Sequence, residues 1–224
     1  MKRTKLKDRQ LPTYTKGEEI FNMVTHIVGG ALGIIAIILC SIFAGIHHNI
    51  YGIFSGIIFG ISMIIVYTFS SIYHGLRKDT TAKKVFQVLD HCAIAVLIAG
   101  SYTPFTLCTI RQYNSSIGWI MFGILWGFTV LSIVLNAIDL KRFRVFSMIC
   151  YLAMGWCIIF KISVIYNMLG IVGFSLLLAG GIIYTIGAVF YGVGRKIKYM
   201  HSIFHLCILI ANFLHFLCIL IFVM

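Results

Sequence analysis

Charged residues are scarce in this chain. Lys, Arg, Asp and Glu together make up 11% of the 224 residues, whereas 60% are apolar and the mean hydropathy is +1.00. A soluble domain of this length cannot bury so much apolar surface, so the composition predicts an integral membrane protein. The net charge of +12 comes from residues in the gaps between apolar runs, which favours a lipid bilayer over nucleic acid as the partner.

Paired cysteine motifs are also absent. The seven cysteines show no CxxC spacing and all fall within apolar runs, where a thiol behaves as a small hydrophobic side chain. We therefore expect neither a disulfide framework nor a metal bound by cysteine. The basic N-terminus precedes a long apolar run without a small-residue cleavage site, so we expect a retained helix rather than a signal peptide.

Seven apolar runs have lengths close to the ~20 residues that span a bilayer. They predict an all-α, seven-transmembrane-helix bundle formed by one domain over residues 19–224, after a basic cytoplasmic segment over residues 1–18. No second domain, low-complexity tract or internal repeat is evident. The helices are predicted at residues 20–46, 50–74, 86–108, 116–138, 144–160, 168–191 and 201–223.

The charges in the connections predict the orientation of this bundle. Sixteen of the eighteen Lys and Arg residues lie in residues 1–18 and in the second-to-third, fourth-to-fifth and sixth-to-seventh connections. Arg111 and Lys161 are the two that lie on the other side. The positive-inside rule therefore predicts a cytoplasmic N-terminus and an extracellular C-terminus.

His201 and His205 form the most informative motif. Their i, i+4 spacing places both imidazoles on one face of the last predicted helix, where they can reach one metal ion. An apolar segment is an expensive place to keep ionisable groups without a use. In the predicted orientation, the ends of the second and third helices bring His74 and Asp90 to the same leaflet.

Helical phase indicates that His74 faces the inside of the bundle. Gly52, Gly56 and Gly60 fall within ~40° of His74 on the second helix. A GxxxGxxxG ladder of this kind is typical of a close helix–helix contact. By the same period, Glu19, Asn22 and His26 share one face of the first helix.

Three histidines and a carboxylate match a catalytic zinc site. Neutral imidazoles suit Zn²⁺, and His74, His201 and His205 as ligands would leave a fourth position for water. Zinc lowers the pKa of that water to ~7 and polarises a carbonyl group. Asp90 is the candidate that orients the water and carries its proton. Ser70, one turn before His74, is a candidate donor to a developing oxyanion or to Asp90.

Simpler interpretations of these residues remain open. His201 and His205 could form a hydrogen-bonded pair at the membrane interface, and Asp90 could form an ion pair with Lys83 or Lys84.

Other polar residues in the helices have simpler interpretations too. Ser70 could bond its own backbone carbonyl. For Glu19, Asn22 and His26 we favour capping and anchoring of the first helix, although the sequence does not define their role. The remaining histidines have plainer roles: His91 is predicted to face away from Asp90, His47 and His48 to be solvated, and His215 to be a polar packing residue.

The motifs together resemble the hemolysin III proteins, the bacterial branch of the progestin and adiponectin receptor family, whose superfamily includes alkaline ceramidases. The similarity covers residues 17–215 and includes the stretches 89–94 and 100–105. It implies zinc on the three histidines, with Asp90 and Ser70 beside it, in a multi-pass protein of the bacterial cytoplasmic membrane. It also implies lipid-amide hydrolysis and a role in membrane homeostasis. The motifs are Glu19-x-x-Asn22-x-x-Thr25-His26, Ser70-x-x-x-His74, Asp90 and His201-x-x-x-His205.

Three functions follow from these observations. The first is a zinc-dependent hydrolase of lipid amides or esters, whose substrates are membrane lipids that enter sideways between helices. The second is a non-catalytic membrane sensor or homeostasis protein in which zinc only clamps the second and seventh helices. The third is a pore-forming hemolysin, or cytolysin. A pore needs a polar lining through both leaflets, and the outer half of the predicted bundle has few polar residues.

Overall fold

The computed structural model describes residues 4–78, 80–194 and 197–224, and this part of the chain contains helices and no β-strand. Four shorter elements accompany the long helices: a 3-10 turn at Leu6–Asp8, a π-helical turn at Phe105–Ile110, α4 at Arg111–Tyr113 and a 3-10 turn at Cys157–Lys161. The long helices are α1 (Lys16–Ile46), α2 (Ile50–Gly75), α3 (Thr81–Pro104), α5 (Ser115–Trp156), α6 (Ile162–Val193) and α7 (Met200–Phe222).

Five helical stretches in the described residues are long and apolar enough to cross a membrane. The all-helical membrane architecture is thus confirmed, but the predicted count of seven is not. The difference lies in Ser115–Val193, where helical structure continues through two predicted connections and forms one stretch of 79 residues. The other four stretches are Lys16–Ile46, Ile50–Gly75, Thr81–Tyr113 and Met200–Phe222.

The 79-residue stretch is not a straight helix. Asp139 leaves helical geometry at φ −157° and ψ 93°. Its carboxylate accepts hydrogen bonds from the backbone N–H of Lys141 (3.1 Å) and Arg142 (3.2 Å), as an N-cap residue does at the start of a new helix. Further along, the chain tightens into the 3-10 turn at Cys157–Lys161, and Gly170 takes a positive φ of 65°. A positive φ of this kind favours glycine because glycine has no Cβ.

Polar side chains cap the starts of the helices. The Thr15 hydroxyl and the Glu18 carboxylate form a reciprocal capping box at the start of α1. Asn49, Thr80 and Asn114 accept backbone N–H hydrogen bonds at the starts of α2, α3 and α5. Each cap satisfies a donor that would otherwise lack a partner, which is costly close to a membrane.

The glycine ladder of α2 makes the close helix–helix contact that the sequence predicts, and its partner is α1. A Cβ on Gly56 would lie 2.7 Å from the Cβ of Cys40, and one on Gly60 would lie 2.7 Å from the carbonyl oxygen of Gly33. At Gly52 the corresponding neighbour is Ala44. The two backbones therefore approach closely along their length, and this contact orients the end of α2 that carries His74. All seven cysteines of the chain are free thiols.

Candidate metal centre

The three predicted ligands converge at one end of the bundle. His74 lies in the last turn of α2, whereas His201 and His205 lie in the first turns of α7, and all three side chains are buried. The Nε2 atom of His205 lies 3.2 Å from Nε2 of His74 and 2.9 Å from Nε2 of His201. One candidate ligand atom from each residue lies within 4.8 Å of the others. Ligands of a tetrahedral zinc ion stand ~3.3 Å apart, given Zn–N bonds of ~2.0–2.1 Å. The spacing therefore suits a single ion.

The Nδ1 side of the His74 ring is held by a carboxylate, which in turn pairs with a lysine. One carboxylate oxygen of Glu19 accepts a hydrogen bond from Nδ1 of His74 at 2.6 Å, and the other pairs with Nζ of Lys83 at 2.8 Å. The same ammonium group donates to the carbonyl oxygen of Leu76 at 3.0 Å. A proton on Nδ1 leaves the lone pair of Nε2 free, so this hydrogen bond assigns the tautomer that a metal ligand requires.

His205 is held in a similar way by another residue of α1. Its Nδ1 atom contacts Nε2 of His26, whose ring meets the Tyr67 ring edge-on with the centroids 5.0 Å apart. The Asn22 amide lies 3.5 Å from Nδ1 of His74. The polar face of α1 is therefore directed at His74 and His205.

The interpretation of Glu19, Asn22 and His26 as capping residues is wrong, whereas anchoring of α1 agrees with the hydrogen bonds that Glu19 accepts from His74 and Lys83. Thr15 and Glu18 cap α1 instead, one residue before Glu19. Helical phase placed the three residues on one face, but it could not tell which neighbouring helix that face meets.

The chemistry of this donor set fits a metal ion. Three buried imidazoles direct their Nε2 atoms at one point, and the Nδ1 atoms of His74 and His205 already have hydrogen-bond partners. Lone pairs that converge without a proton between them repel each other, and a cation at that point removes the repulsion. Imidazole ligands suit zinc, copper, iron and nickel. The geometry therefore supports a three-histidine metal site without identifying the metal.

A cavity of about 140 Å³ adjoins the histidines on one side. Its wall is mainly apolar, and its polar part includes Asp90, His91, Tyr191, Arg144, His201 and His205. The predicted catalytic carboxylate and two of the three predicted ligands thus face one space. His91 was predicted to face away from Asp90, and this is wrong: its Nδ1 atom lies 3.6 Å from a carboxylate oxygen of Asp90. A separation of ~100° on α3 still leaves both side chains on the wall of a wide cavity.

The structure tests the simpler interpretations of Asp90 and Ser70. Lys83 forms its ion pair with Glu19, so the alternative in which Lys83 holds Asp90 is wrong. Ser70 is buried one turn before His74, and its hydroxyl has no hydrogen-bond partner among the described residues. The alternative in which Ser70 bonds its own backbone carbonyl is therefore not observed.

The remaining histidines lie outside the three-histidine cluster. His47 and His48 are exposed, and Nδ1 of His47 lies 3.2 Å from the carbonyl oxygen of Met224. His215 is buried, with Nε2 3.2 Å from the carbonyl oxygen of Leu177. The prediction that His215 is a polar packing residue is confirmed.

Two residues of the centre were missed in the sequence. Tyr14 stacks on His201, with the ring centroids 4.8 Å apart and the planes at 16°. Lys83 was considered only as part of a basic connection and as a possible partner of Asp90, yet its side chain is 1% exposed and pairs with Glu19. A signal for Lys83 was present, because a cation in the first turn of a helix is unfavourable unless a specific partner holds it. No comparable signal marks Tyr14, which lies in a polar segment before α1.

Comparison with known proteins finds similar sequences over most of the chain. The family model described as "Haemolysin-III related" matches residues 14–216. Hemolysin-3 of Bacillus cereus is 39% identical over 207 residues, which cover 92% of each chain. The Hemolysin-3 homolog of Bacillus subtilis (strain 168) is 38% identical over 207 residues, covering 92% of this chain and 95% of that protein. The human monocyte to macrophage differentiation factor is 26% identical over 164 residues, covering 71% of this chain and 66% of that protein.

The two Bacillus relatives align along almost the whole chain, and the matched range includes Tyr14, Glu19, the three histidines and Asp90. The resemblance seen in the spaced motifs is thus confirmed by an independent comparison. The chain belongs to the haemolysin-III-related family.

Proposed function

We propose that this chain is a zinc-dependent membrane hydrolase that cleaves amide or ester bonds in lipids. The observation that carries the proposal is the convergence of His74, His201 and His205 beside a mainly apolar cavity that also contains Asp90. Zinc is the metal we infer, because it has no redox chemistry and binds imidazole in tetrahedral sites with three protein ligands.

The residues of the histidine centre and of the cavity wall have separate roles in the proposed reaction. His74, His201 and His205 would hold a zinc ion, which when bound would supply a Lewis acid for the carbonyl and lower the pKa of water to near neutral. Asp90 accepts the proton of the attacking water and returns it to the leaving amine or alkoxide. Ser70, whose hydroxyl lacks a partner among the described residues, donates to the developing oxyanion or to Asp90.

The substrate class follows from the cavity wall. Apolar side chains from several helices surround the space next to the histidines, and they suit an acyl chain already dissolved in the bilayer. The lipid enters sideways between helices, with its scissile carbonyl at the polar end of the cavity. The apolar lining is Val66, Ile94, Leu97, Ile98, Leu152 and Ile208.

The transmembrane arrangement is part of the same proposal. The long stretch Ser115–Val193 crosses the membrane three times, with turns at the break near Asp139 and between Cys157 and Gly170. Each of the three pieces approaches the ~20 residues that a crossing needs. Seven crossings, a cytoplasmic N-terminus and a bacterial cytoplasmic membrane follow, with the histidine centre in the inner leaflet.

A structural zinc clamp is the second candidate function. It is favoured by the network of Glu19, His74 and Lys83, which joins α1, α2 and α3 at the metal centre. In that case the protein senses or maintains the membrane state without turnover. The relatives named Hemolysin-3 raise a third possibility, a pore, but the cavity wall next to the centre is mainly apolar and does not suit an aqueous channel.

The Asp90→Asn variant separates hydrolysis from clamping. The purified protein is reconstituted in liposomes with N-acyl and O-acyl lipid probes, and zinc content is measured in parallel. We expect near-native zinc and a loss of ~10²–10⁴-fold in hydrolysis rate, because the amide keeps the size of the side chain but cannot act as a base. Asp8→Asn, at an exposed carboxylate, is the matched control and stays fully active.

Three other outcomes would each contradict part of the proposal. Full activity in Asp90→Asn would show that Asp90 is not the base. Loss of zinc in this variant would make Asp90 a support of the metal. A zinc-loaded wild-type protein that cleaves none of the amide or ester probes would favour the clamp.

A further inference from the structure

Two of the three candidate ligands are oriented by hydrogen bonds, and the third is not. Nδ1 of His74 is bonded to Glu19, and Nδ1 of His205 contacts His26. Within residues 4–78, 80–194 and 197–224, no residue hydrogen-bonds to Nδ1 of His201. A ligand histidine normally has such a partner, because the partner fixes the ring plane and the tautomer. Something else must therefore hold the ring of His201.

The Tyr14 ring occupies the place of that missing partner. It lies nearly parallel to the His201 ring, with the centroids 4.8 Å apart and an interplanar angle of 16°. Tyr191 and Phe204 also approach His201, but with centroids at 6.0 and 5.6 Å and tilted planes. Tyr14 is buried, with 9% of its surface exposed, and its ring centroid lies 5.7 Å from that of His74. It thus covers two of the three ligands.

The backbone on both sides of Tyr14 is fixed. Its carbonyl oxygen accepts a hydrogen bond from Nζ of Lys78 at 2.9 Å, and the next residue, Thr15, is locked in the capping box with Glu18. The Glu18 carboxylate also accepts the backbone N–H of Tyr199 at 2.7 Å. Tyr199 immediately precedes α7 and has a left-handed φ of 63°. One carboxylate therefore ties the start of α1, where Tyr14 is anchored, to the start of α7, which carries His201.

We propose that Tyr14 is a positioning residue for the metal centre, whose ring face orients His201 and covers part of the centre. The inference rests on the metal-binding part of the proposed function and concerns ring stacking, not the phenol hydroxyl. The cavity wall includes His201 and His205, whereas Tyr14, which stacks on His201, is not among the described residues that line it.

The hydroxyl of Tyr14 has no part in the proposed role. Burial, together with the neighbouring phenol of Tyr73, raises the pKa of the Tyr14 hydroxyl well above its ordinary value, so it stays protonated in the physiological range. Replacing Tyr14 by phenylalanine should therefore leave the stacking intact. Replacing it by leucine keeps apolar volume but removes the aromatic face.

The test compares zinc binding in three full-length variants, Tyr14→Phe, Tyr14→Leu and Tyr14→Ala, purified in detergent. Zinc affinity is measured by competition with a chromophoric chelator, and zinc release by transfer to excess chelator. We expect Tyr14→Phe to stay within twofold of the wild type. Tyr14→Leu and Tyr14→Ala should bind zinc ~10–100-fold more weakly and release it faster, as is usual when a group that orients a ligand is lost. Tyr113→Leu, at a site that is 66% exposed, is the control and should change neither quantity.

Four other results would contradict either the inference or the proposed function on which it rests. Wild-type affinity in Tyr14→Leu would remove Tyr14 from the centre while leaving zinc binding intact. A loss in Tyr14→Phe equal to that in Tyr14→Leu would assign the effect to the hydroxyl and not to the ring. If metal-free Tyr14→Leu failed to fold, Tyr14 would be a core residue and not a positioning residue. A wild-type protein that binds no zinc would refute the proposed function itself.

Discussion

Glu19 offers a sharp test of how the histidine centre is held, because one carboxylate serves two partners. It accepts a hydrogen bond from Nδ1 of His74 at 2.6 Å and pairs with Lys83 at 2.8 Å. The Glu19→Gln change keeps the size of the side chain and removes its charge. The variant should lose both protein stability and metal affinity, through two different partners.

The loss of stability comes from Lys83. Its side chain is 1% exposed, so the ammonium group would remain buried without a counter-charge. Removing one partner of a buried ion pair costs ~3–5 kcal/mol. Lys83 keeps its hydrogen bond to the carbonyl oxygen of Leu76, and the Glu19 side chain is 12% exposed, so we expect the lower end, about 3 kcal/mol. The loss of metal affinity comes from His74, and weaker orientation of a ligand costs ~10–100-fold.

A second substitution separates the two effects. The double variant Glu19→Gln, Lys83→Met leaves no buried charge unpaired, so it should regain most of the lost stability. Its zinc affinity should stay low, because His74 still lacks the carboxylate. The assay is thermal unfolding in detergent with zinc removed, followed by chelator competition for zinc on the same samples.

Two results would refute this reasoning. Glu19→Gln could melt at the wild-type temperature, which would mean that Lys83 is solvated or finds another counter-charge. The double variant could instead recover zinc affinity together with stability. The carboxylate would then act only by neutralising Lys83 and not by orienting His74.

Two further predictions concern the packing and the topology. Gly56→Leu should destabilise the protein by ~1–3 kcal/mol or more, because the side chain would meet Cys40, whereas Gly123→Ala, with no atom within 4 Å of its Cβ position, should be neutral in a thermal melt. A reporter fused after Met224 should be accessible from outside the cell; a cytoplasmic reporter would contradict the orientation inferred from the loop charges.

The parts of the fold that depend on local periodicity were predictable. Hydropathy identified the all-helical membrane architecture but not the number of spans, and the GxxxGxxxG ladder identified the face of α2 that makes a close helix contact. Helix ends were harder, because they depend on contacts between distant residues. The break at Asp139, for example, is held by the backbone N–H of Thr4, 135 residues earlier in the chain.

The centre itself was predictable only in part. His201 and His205 share a helix, and His74 lies on the glycine stripe, so spacing together with the predicted orientation brought the three together. Glu19 and His26 lay on a recognisable polar face, but which histidine each would contact depends on how α1 leans against α2 and α7. Tyr14 could not be found, because an aromatic residue in a polar segment has no periodicity that reports its partner.

The most direct test of this account is elemental analysis of the purified protein for zinc. We predict one zinc per chain in the wild type, the same content in His47→Ala at an exposed site, and little or none in His205→Ala, whose ring contacts both other ligands. A wild-type protein purified in zinc-containing medium that carries no zinc would contradict the central claim. So would a His205→Ala variant that retains one zinc per chain.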